Sequence, residues 1–470
     1  MHSTDDLEAI VAQRAKPKAR QLTDLGNAER MHDLHGRDLR CCAGLGRLVW
    51  AGTHWQRDDR REWERRAAQT VRTIYAEVER CDDADRRKAI VKHATKSESA
   101  GSLRALASIV ETFRDVACAV DELDADPFLL NATNGTIDLR TGKMREHRRS
   151  DLITKITGAR FDADAECPVF EAFLRSIFAG DEELIGFVQR FMGYSLTGDV
   201  REQVLLFAYG TGANGKSTLI DLWIDLLGGD SGGYAAPGAP GLLVERKNEQ
   251  HPTELAALRG ARVVTCVEIG DGKRFDEERV KAITGGDKVT ARQMREDFFT
   301  FSPTHKLIVA ANHRPQVRGT DLAIWRRILL VPFAVTFTDA QKDRALPQKL
   351  RAELPGILAW AVRGCLEWQR GGLRPPKVVT AATDAYRAEQ DVVGRFIADR
   401  CVVIEQAKAK AGDLYTAFRE WAQEQGEPDM SGRRFGEALS ERGFRQLRTN
   451  AARWWSGVGL NAPEEGRWAS

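Results

Sequence analysis

The chain has 470 residues, 42% hydrophobic and 29% charged, with a formal net charge of +2. At roughly 150 residues per domain, that length exceeds one core and allows about three. A near-neutral total excludes binding by bulk charge alone but leaves room for a polyanion site built from clustered basic residues. Eight cysteines, at 41, 42, 81, 118, 167, 266, 365 and 401, include no C-x-x-C pair and suit a reducing compartment. The start, MHSTDDLEAI, has no apolar signal core, and no stretch approaches ~18 apolar residues. A cytoplasmic protein of a bacterial host cell, with no membrane partner, is therefore expected.

Residues 1–160 read as a mixed α+β N-terminal region. His32-x-x-His35 and Cys41-Cys42 suggest a metal site at first sight. Vicinal cysteines grip one tetrahedral ion awkwardly, however, and zinc-ribbon spacing is missing, so they read as structural. GRLVWAGTHWQ (46–56) alternates around a glycine turn and predicts a hairpin carrying Trp50 and Trp55. A charged helix follows from Asp58 to about Glu79, its RDDRREW mixing marking a solvated face. DELDAD (121–126) reads as a solvated turn, and NGTIDLRTGKM (134–144) as a second hairpin. Two helices are expected between Cys167 and Gly198, in a segment, 161–200, taken as a helical collar.

The segment 201–350 alternates strands with helices. Its strand candidates are Val204–Tyr209, Arg262–Val267, Lys306–Ala311 and Ile328–Phe333. Continuous apolar strands separated by helices predict a parallel sheet covered on both faces, hence an α/β core. A helical linker (351–388) and a separate small module (389–470) complete the chain.

Between the first of these strands and an apolar-periodic helix stands Gly210-Thr211-Gly212-Ala213-Asn214-Gly215-Lys216-Ser217-Thr218, which satisfies G-x-x-x-x-G-K-[ST]. Glycines let successive backbone N–H groups turn inward around an anion, and the helix N-terminus adds its dipole. ATP and Mg²⁺ are the expected ligands: Lys216 would reach the β- and γ-phosphates and Ser217 would ligate the metal. The second strand ends in Glu268, placed to polarise water or hold the metal. The third ends in Asn312, whose amide could orient water. Arg326 and Arg327 follow, and an arginine at a subunit edge could stabilise charge in a neighbour's site; the sequence leaves open which one.

Two stretches point to nucleic acid. Lys281 on a short helix, then Lys288, Arg292 and Arg295 in GGDKVTARQMREDFF around a strand-turn-strand, would grip phosphates without sequence preference. In the last module, helices over AGDLYTAFREWAQEQG and SGRRFGEALSERGF precede a strand-turn-strand, an arrangement that suggests a winged helix. Ser431 to Arg453 holds six arginines, among them Arg433, Arg434, Arg445 and Arg448, against two glutamates. Trp454 and Trp455 are read as packing that small module's core.

The blocks VLLFAYGTGANGKST, ELAALRGARVVTCVEIG, VKAITGGDKVTARQMREDFFTFSPTHKLIVAANHRP and GTDLAIWRRILLVPF closely resemble the superfamily 3 helicase domain. More narrowly they are similar to the helicase half of phage- and plasmid-type primases, relatives of poxvirus-type primase-helicases. With the Trp-rich hairpin, NGTIDLRTG and the helix ending FMGYSLTGD, the resemblance covers about residues 35–460. It implies an AAA+-like P-loop core, a collar assembling a hexameric ring, and ATP hydrolysis at subunit junctions. It also implies 3′-to-5′ movement on single-stranded or forked DNA. By position Lys216 and Ser217 match the Walker A residues, Glu268 the Walker B acid, Asn312 the sensor, and Arg326 or Arg327 the finger. The segment between the second and third strands matches the DNA-contacting hairpin. Two departures stand out. Glu268 is followed by Ile269 rather than a second acid, which would leave metal binding to Ser217 and water. The ~160 residues before the collar also carry neither zinc-type cysteine pairs nor a polymerase carboxylate cluster, so no primer synthesis is expected. A separate primase or other replisome proteins become the expected partners. The competing reading is an ATP-assembled initiator or regulator that binds DNA and unwinds little; a metabolic kinase would need an acceptor site and lid that these elements do not supply.

Overall fold

A computed structural model describes residues 20–229, 232–245, 253–267, 270, 272–292, 298–317, 322–427, 430–449 and 452–461. Among these, no helix is long and apolar enough to cross a membrane.

Four helices, α1 (Asp24–His35), α2 (Glu62–Ile74), α3 (Ala84–Ser97) and α4 (Ala100–Val110), pack around one core with Leu39, Val49 and Val116. Helix α2 begins where the Asp58 carboxylate accepts from the Glu62 and Trp63 N–H groups at 2.7 and 2.9 Å, satisfying orphan donors of the first turn. It buries Trp63, Ala67, Thr70, Val71 and Ile74, a stripe at helical spacing, and leaves its charged face to water. The last turn of the expected helix tightens into a 3₁₀ segment, Tyr75–Arg80. The expected Trp hairpin forms from β2 (Gly46–Trp50) and β3 (Trp55–Arg57), next to β1 (Leu39–Cys42) and β4 (Ala117–Cys118), with Trp50 opposite Trp55. His32 pairs with Asp115 at 2.7 Å and stacks edge-on against Phe113, while Cys42 lies in register with Cys118.

A meander of β5 (Leu129–Ala132), β6 (Gly135–Asp138) and β7 (Lys143–Arg145) contains the second hairpin. Its core is not that of α1–α4. Leu130, Ile137, Leu139 and Phe161 merge with helices α5 (Pro168–Ile177) and α6 (Glu182–Ser195).

The central sheet contains β8 (Leu205–Tyr209), β9 (Ala235–Pro237), β10 (Val263–Val267), β13 (Lys306–Ala311) and β14 (Ile328–Pro332), in spatial order β14-β8-β13-β10-β9 and parallel throughout. The hairpin strands β11 (Val289–Arg292) and β12 (Phe298–Phe301) intervene in sequence and pair with each other. Four of these five central strands fall where the sequence places them. The edge strand β9 was not anticipated, for its three residues carry no periodic signal. Alternation splits the sheet between two cores. Leu206, Ala208, Ile308 and Ala310 face the helical layer with α7 (Lys216–Leu226), whereas Leu205, Phe207, Leu307 and Val309 face a second core with Phe275, Val280, Trp325 and Tyr386, joined by Leu45 and Trp55 from the N-terminal region. Helix α8 (Glu277–Gly285) precedes β11.

Helix α9 (Leu354–Gly371) lies against α6 at a distance only glycine permits. A Cβ on Gly193 would sit 2.0 Å from the Cys365 nitrogen, and one on Gly364 2.2 Å from the Gln189 carbonyl oxygen. The Glu353 carboxylate caps α5 by accepting from the Val169 and Phe170 N–H groups at 3.0 and 2.9 Å. The helices assigned from sequence to a collar and to a later linker thus form one layer, continuous with the sheet's core. Helix α10 (Lys377–Gln390) covers β14, with Tyr386 buried.

The last unit has its own core of Phe396, Leu414, Phe418, Trp421, Phe435, Leu439 and Trp455. It comprises α11 (Val392–Arg400), α12 (Ala411–Glu424), α13 (Gly432–Glu441), a pair of β15 (Cys401–Val402) with β19 (Gly459–Leu460), and a sheet of β16 (Lys408–Lys410), β18 (Arg453–Ser456) and β17 (Arg445–Arg448).

Candidate nucleotide site and nucleic-acid interface

Strand β8 delivers the glycine loop to the C-terminal edge of the sheet, flanked on either side by β13 and β14. In open parallel sheets such an edge is where ligands bind. The loop turns through left-handed backbone at Gly212 (φ +108°), Ala213 (φ +48°) and Gly215 (φ +81°). Glycine carries this at Gly212 and Gly215, and Ala213 tolerates it because the Phe337 N–H donates to its carbonyl at 2.7 Å. A Cβ on Gly215 would meet Ile177 Cγ2 at 2.4 Å, so α5 seats directly on the loop. Around Gly212 a Cβ would meet nothing within 4 Å. The buried side of the loop is braced and the outer side is open.

Lys216 opens α7. Its buried Nζ donates to the Gly210 carbonyl (3.1 Å), the Ala311 carbonyl (3.0 Å) and Asn312 Oδ1 (2.8 Å). Two loops remote in sequence therefore converge on one ammonium group. Burial lowers the Lys216 pKa from its ordinary value, because desolvation disfavours the charged form. Among the described residues its contacts are neutral oxygens only, which a polyphosphate would complement. Asn214 is buried, its Oδ1 accepting from the Lys216 N–H at 3.3 Å. Thr211 and Ser217 are exposed and Thr218 half-buried, so hydroxyls face the open side where a metal-bound phosphate would lie. The loop, ammonium and hydroxyls fit a phosphate-bearing ligand. Glu268 lies outside the described residues.

The two arginines separate. Arg327 is buried; its Nε donates to Thr284 Oγ1 at 3.1 Å and its Nη1 to the Ala323 carbonyl at 2.6 Å. A guanidinium anchored in its own core has no reach into a neighbouring subunit, so Arg327 is set aside as a finger. Arg326 is exposed.

Sequence reasoning missed Arg314, two residues past Asn312. Its guanidinium lies 4.4 Å over the Tyr209 ring and pairs with Glu389 of α10. It ties the start of the glycine loop to the helix leading into the last unit. No local pattern marks it, since Tyr209, Arg314 and Glu389 meet only in three dimensions.

On the opposite edge of the sheet, α8 and the β11–β12 hairpin lead into β13. Ala291, Phe299 and Phe301 are buried; Thr290, Arg292, Phe298 and Thr300 share the outward face. Lys288 is exposed, Lys281 half-buried, and Arg295 lies outside the described residues. In the last unit Arg433, Arg434, Arg445 and Arg448 are all exposed. Trp455 is core, while Trp454 is half-buried with Lys410 Nζ 5.8 Å from its ring.

Residues 28–179 match a family described as D5 N terminal like, and residues 208–327 match a family of unknown function. The chain is 26% identical over 427 residues to a protein of Acanthamoeba polyphaga mimivirus named a putative helicase, covering 81% of this chain and 44% of that one. It is 30% identical over 272 residues to one so named in Frog virus 3 (isolate Goorha), covering 53% and 27%. A protein of African swine fever virus named a putative primase is 23% identical over 328 residues, covering 64% and 34%. The chain thus carries a D5 N terminal like segment and is similar to viral proteins named putative helicases and putative primases. It spans less than half the length of each of these three relatives. Among solved structures, the apo C-terminal region of NrS-1 matches 76% of this chain and 89% of that one at 10% identity, with a TM-score of 0.46.

Proposed function

We propose that this D5-type chain is an ATP-dependent replicative DNA helicase of a phage, prophage or mobile element. The observation that carries the reading is the convergence of Gly210, Ala311 and Asn312 on the Lys216 ammonium at the open edge of the sheet. That is how a P-loop lysine and a γ-phosphate sensor on the neighbouring strand would be brought to one nucleotide.

In this reading Gly210–Thr218 cradle the triphosphate and Lys216 neutralises its β- and γ-oxygens. Asn312 orients water, and Glu268, on the resemblance, polarises it. Mg²⁺ would be held by Ser217 and water, with Glu268 as the candidate acidic ligand, and would supply charge neutralisation. Exposed Arg326 is the finger reaching an adjacent subunit in an AAA+-like ring, a hexamer in the family it resembles, moving 3′ to 5′. The hairpin grips the single strand, and α13 with the β17–β18 wing forms a winged helix that engages duplex, with origin recognition as its role. Other replisome proteins, including a separate primase, are the partners.

Strand displacement on a forked duplex with ATP and Mg²⁺ tests this, with Lys216→Ala alongside. Separation by the native chain alone is expected. Primer synthesis on a single-stranded template is the companion assay, because one relative is named a primase; none is expected from these residues. The exposed Arg433, Arg434, Arg445 and Arg448 favour one second reading, an ATP-assembled initiator. That reading predicts tight duplex binding and ATP hydrolysis indifferent to single strands.

A further inference from the structure

The outward face of the β11–β12 hairpin is not simply basic. From Asp287 to Phe301 the sequence holds three cations (Lys288, Arg292, Arg295) and three anions (Asp287, Glu296, Asp297). A grip made only of phosphate contacts scales with net neutralised charge, so a balanced hairpin grips weakly by that route. The same face presents Phe298 with 58% of its surface exposed, in a strand whose other phenylalanines, Phe299 and Phe301, are buried. Phe298 stands opposite Arg292 in the ladder, and the Arg292 guanidinium carbon lies 4.9 Å from its ring centroid. Arg292 is half-buried, its Nε enclosed without a hydrogen-bond partner among the described residues, so only the outer end of its guanidinium is available to a ligand. Thr290 and Thr300, the next pair on that face, present two exposed hydroxyls 3.4 Å apart.

We infer that Phe298 is a stacking platform for a base of single-stranded DNA, with Arg292 steadying its ring and reaching the adjoining phosphate. The guanidinium covers one side of the ring and leaves the other for a nucleobase, and the threonine hydroxyls suit sugar or phosphate oxygens. The platform rests on the helicase reading and adds a property to it: the single strand is held by its bases as well as its backbone. Stacking of this kind tolerates any sequence, as a moving enzyme requires.

The test measures affinity of the full chain for an oligothymidine and for an abasic strand of equal length, at one salt concentration. The native chain is expected to prefer the oligothymidine. Phe298→Ala should weaken oligothymidine binding roughly 10-fold, leave abasic binding within about twofold, and erase the preference; Phe298→Trp should restore it. Equal losses on both strands, or no loss on either, would overturn the platform while leaving the helicase reading standing. Failure of the native chain to bind either strand would overturn both.

Discussion

The two edges of the central sheet both bury cations against backbone carbonyls, yet they do opposite things. At the C-terminal edge Lys216 sits in a loop of left-handed glycines, open on one side, with Ser217 exposed beside it. At the N-terminal edge Lys306 and Arg262 are sealed. Lys306 donates to the Thr197, Asp199 and Thr304 carbonyls and lies 4.8 Å from the Tyr194 ring. Arg262 donates to the Leu196 and Leu129 carbonyls and covers Tyr234 at 4.6 Å. Several of those carbonyls terminate α6, so the cations cap its negative dipole end and bolt the helical layer to the sheet. Burial lowers the pKa of all three groups. A buried cation therefore does not by itself mark a ligand site; the loop geometry and the open side do.

Replacing each cation should break the comparison cleanly. Lys216→Ala is expected to cut ATP hydrolysis at least ~100-fold at a smaller stability cost than Arg262→Met, because water entering from the open side can satisfy the Gly210 and Ala311 carbonyls that it frees. Arg262→Met should do the reverse. It strands two buried carbonyls and is expected to lower stability by about 2–4 kcal/mol in denaturant titration, with nucleotide affinity retained by the folded fraction.

The same distinction applies to the adjacent arginines. Arg327→Ala removes bonds to Thr284 and Ala323 and should cost about 2 kcal/mol. Arg326→Ala should leave stability unchanged and lower hydrolysis only in the assembled state. Measuring hydrolysis against protein concentration for both variants separates these effects.

An effect confined to acid pH comes from His305, which immediately precedes β13. It is fully buried, neither ring nitrogen has a hydrogen-bond partner among the described residues, and burial beside Lys306 pushes its pKa down to about 3. In the unfolded chain it titrates near 6.5. Between those values the unfolded state binds the extra proton, so its contribution to stability is full above about pH 6.5 and is lost as pH falls toward 3. His305→Leu is expected to make stability less steeply dependent on pH across that window, by up to one proton, in denaturant titrations at several pH values.

What could be read in advance follows the range of each signal. The glycine loop, four of the central strands and both early hairpins are local patterns, and they were legible because their chemistry is written within about fifteen consecutive residues. Arg262 and Lys306 were read only as strand starts, since nothing near them foretells carbonyls arriving from the end of α6. The union of the early helical pair with α9 depends on Gly193 meeting Cys365, a contact across more than 170 positions. Arg314 was invisible for the same reason. Phe298 carries a local signal, an aromatic on the polar face of an alternating strand, but its exposure and its pairing with Arg292 depend on the hairpin register.

The central claim is that the Lys216 edge and the hairpin edge, joined through β13, work as one motor. Its most direct test is steady-state ATP hydrolysis by the native chain and by Lys216→Ala, each with and without oligothymidine. The account predicts hydrolysis that rises with the single strand and vanishes with Lys216. Hydrolysis that persists in Lys216→Ala, or that ignores the single strand, would contradict it.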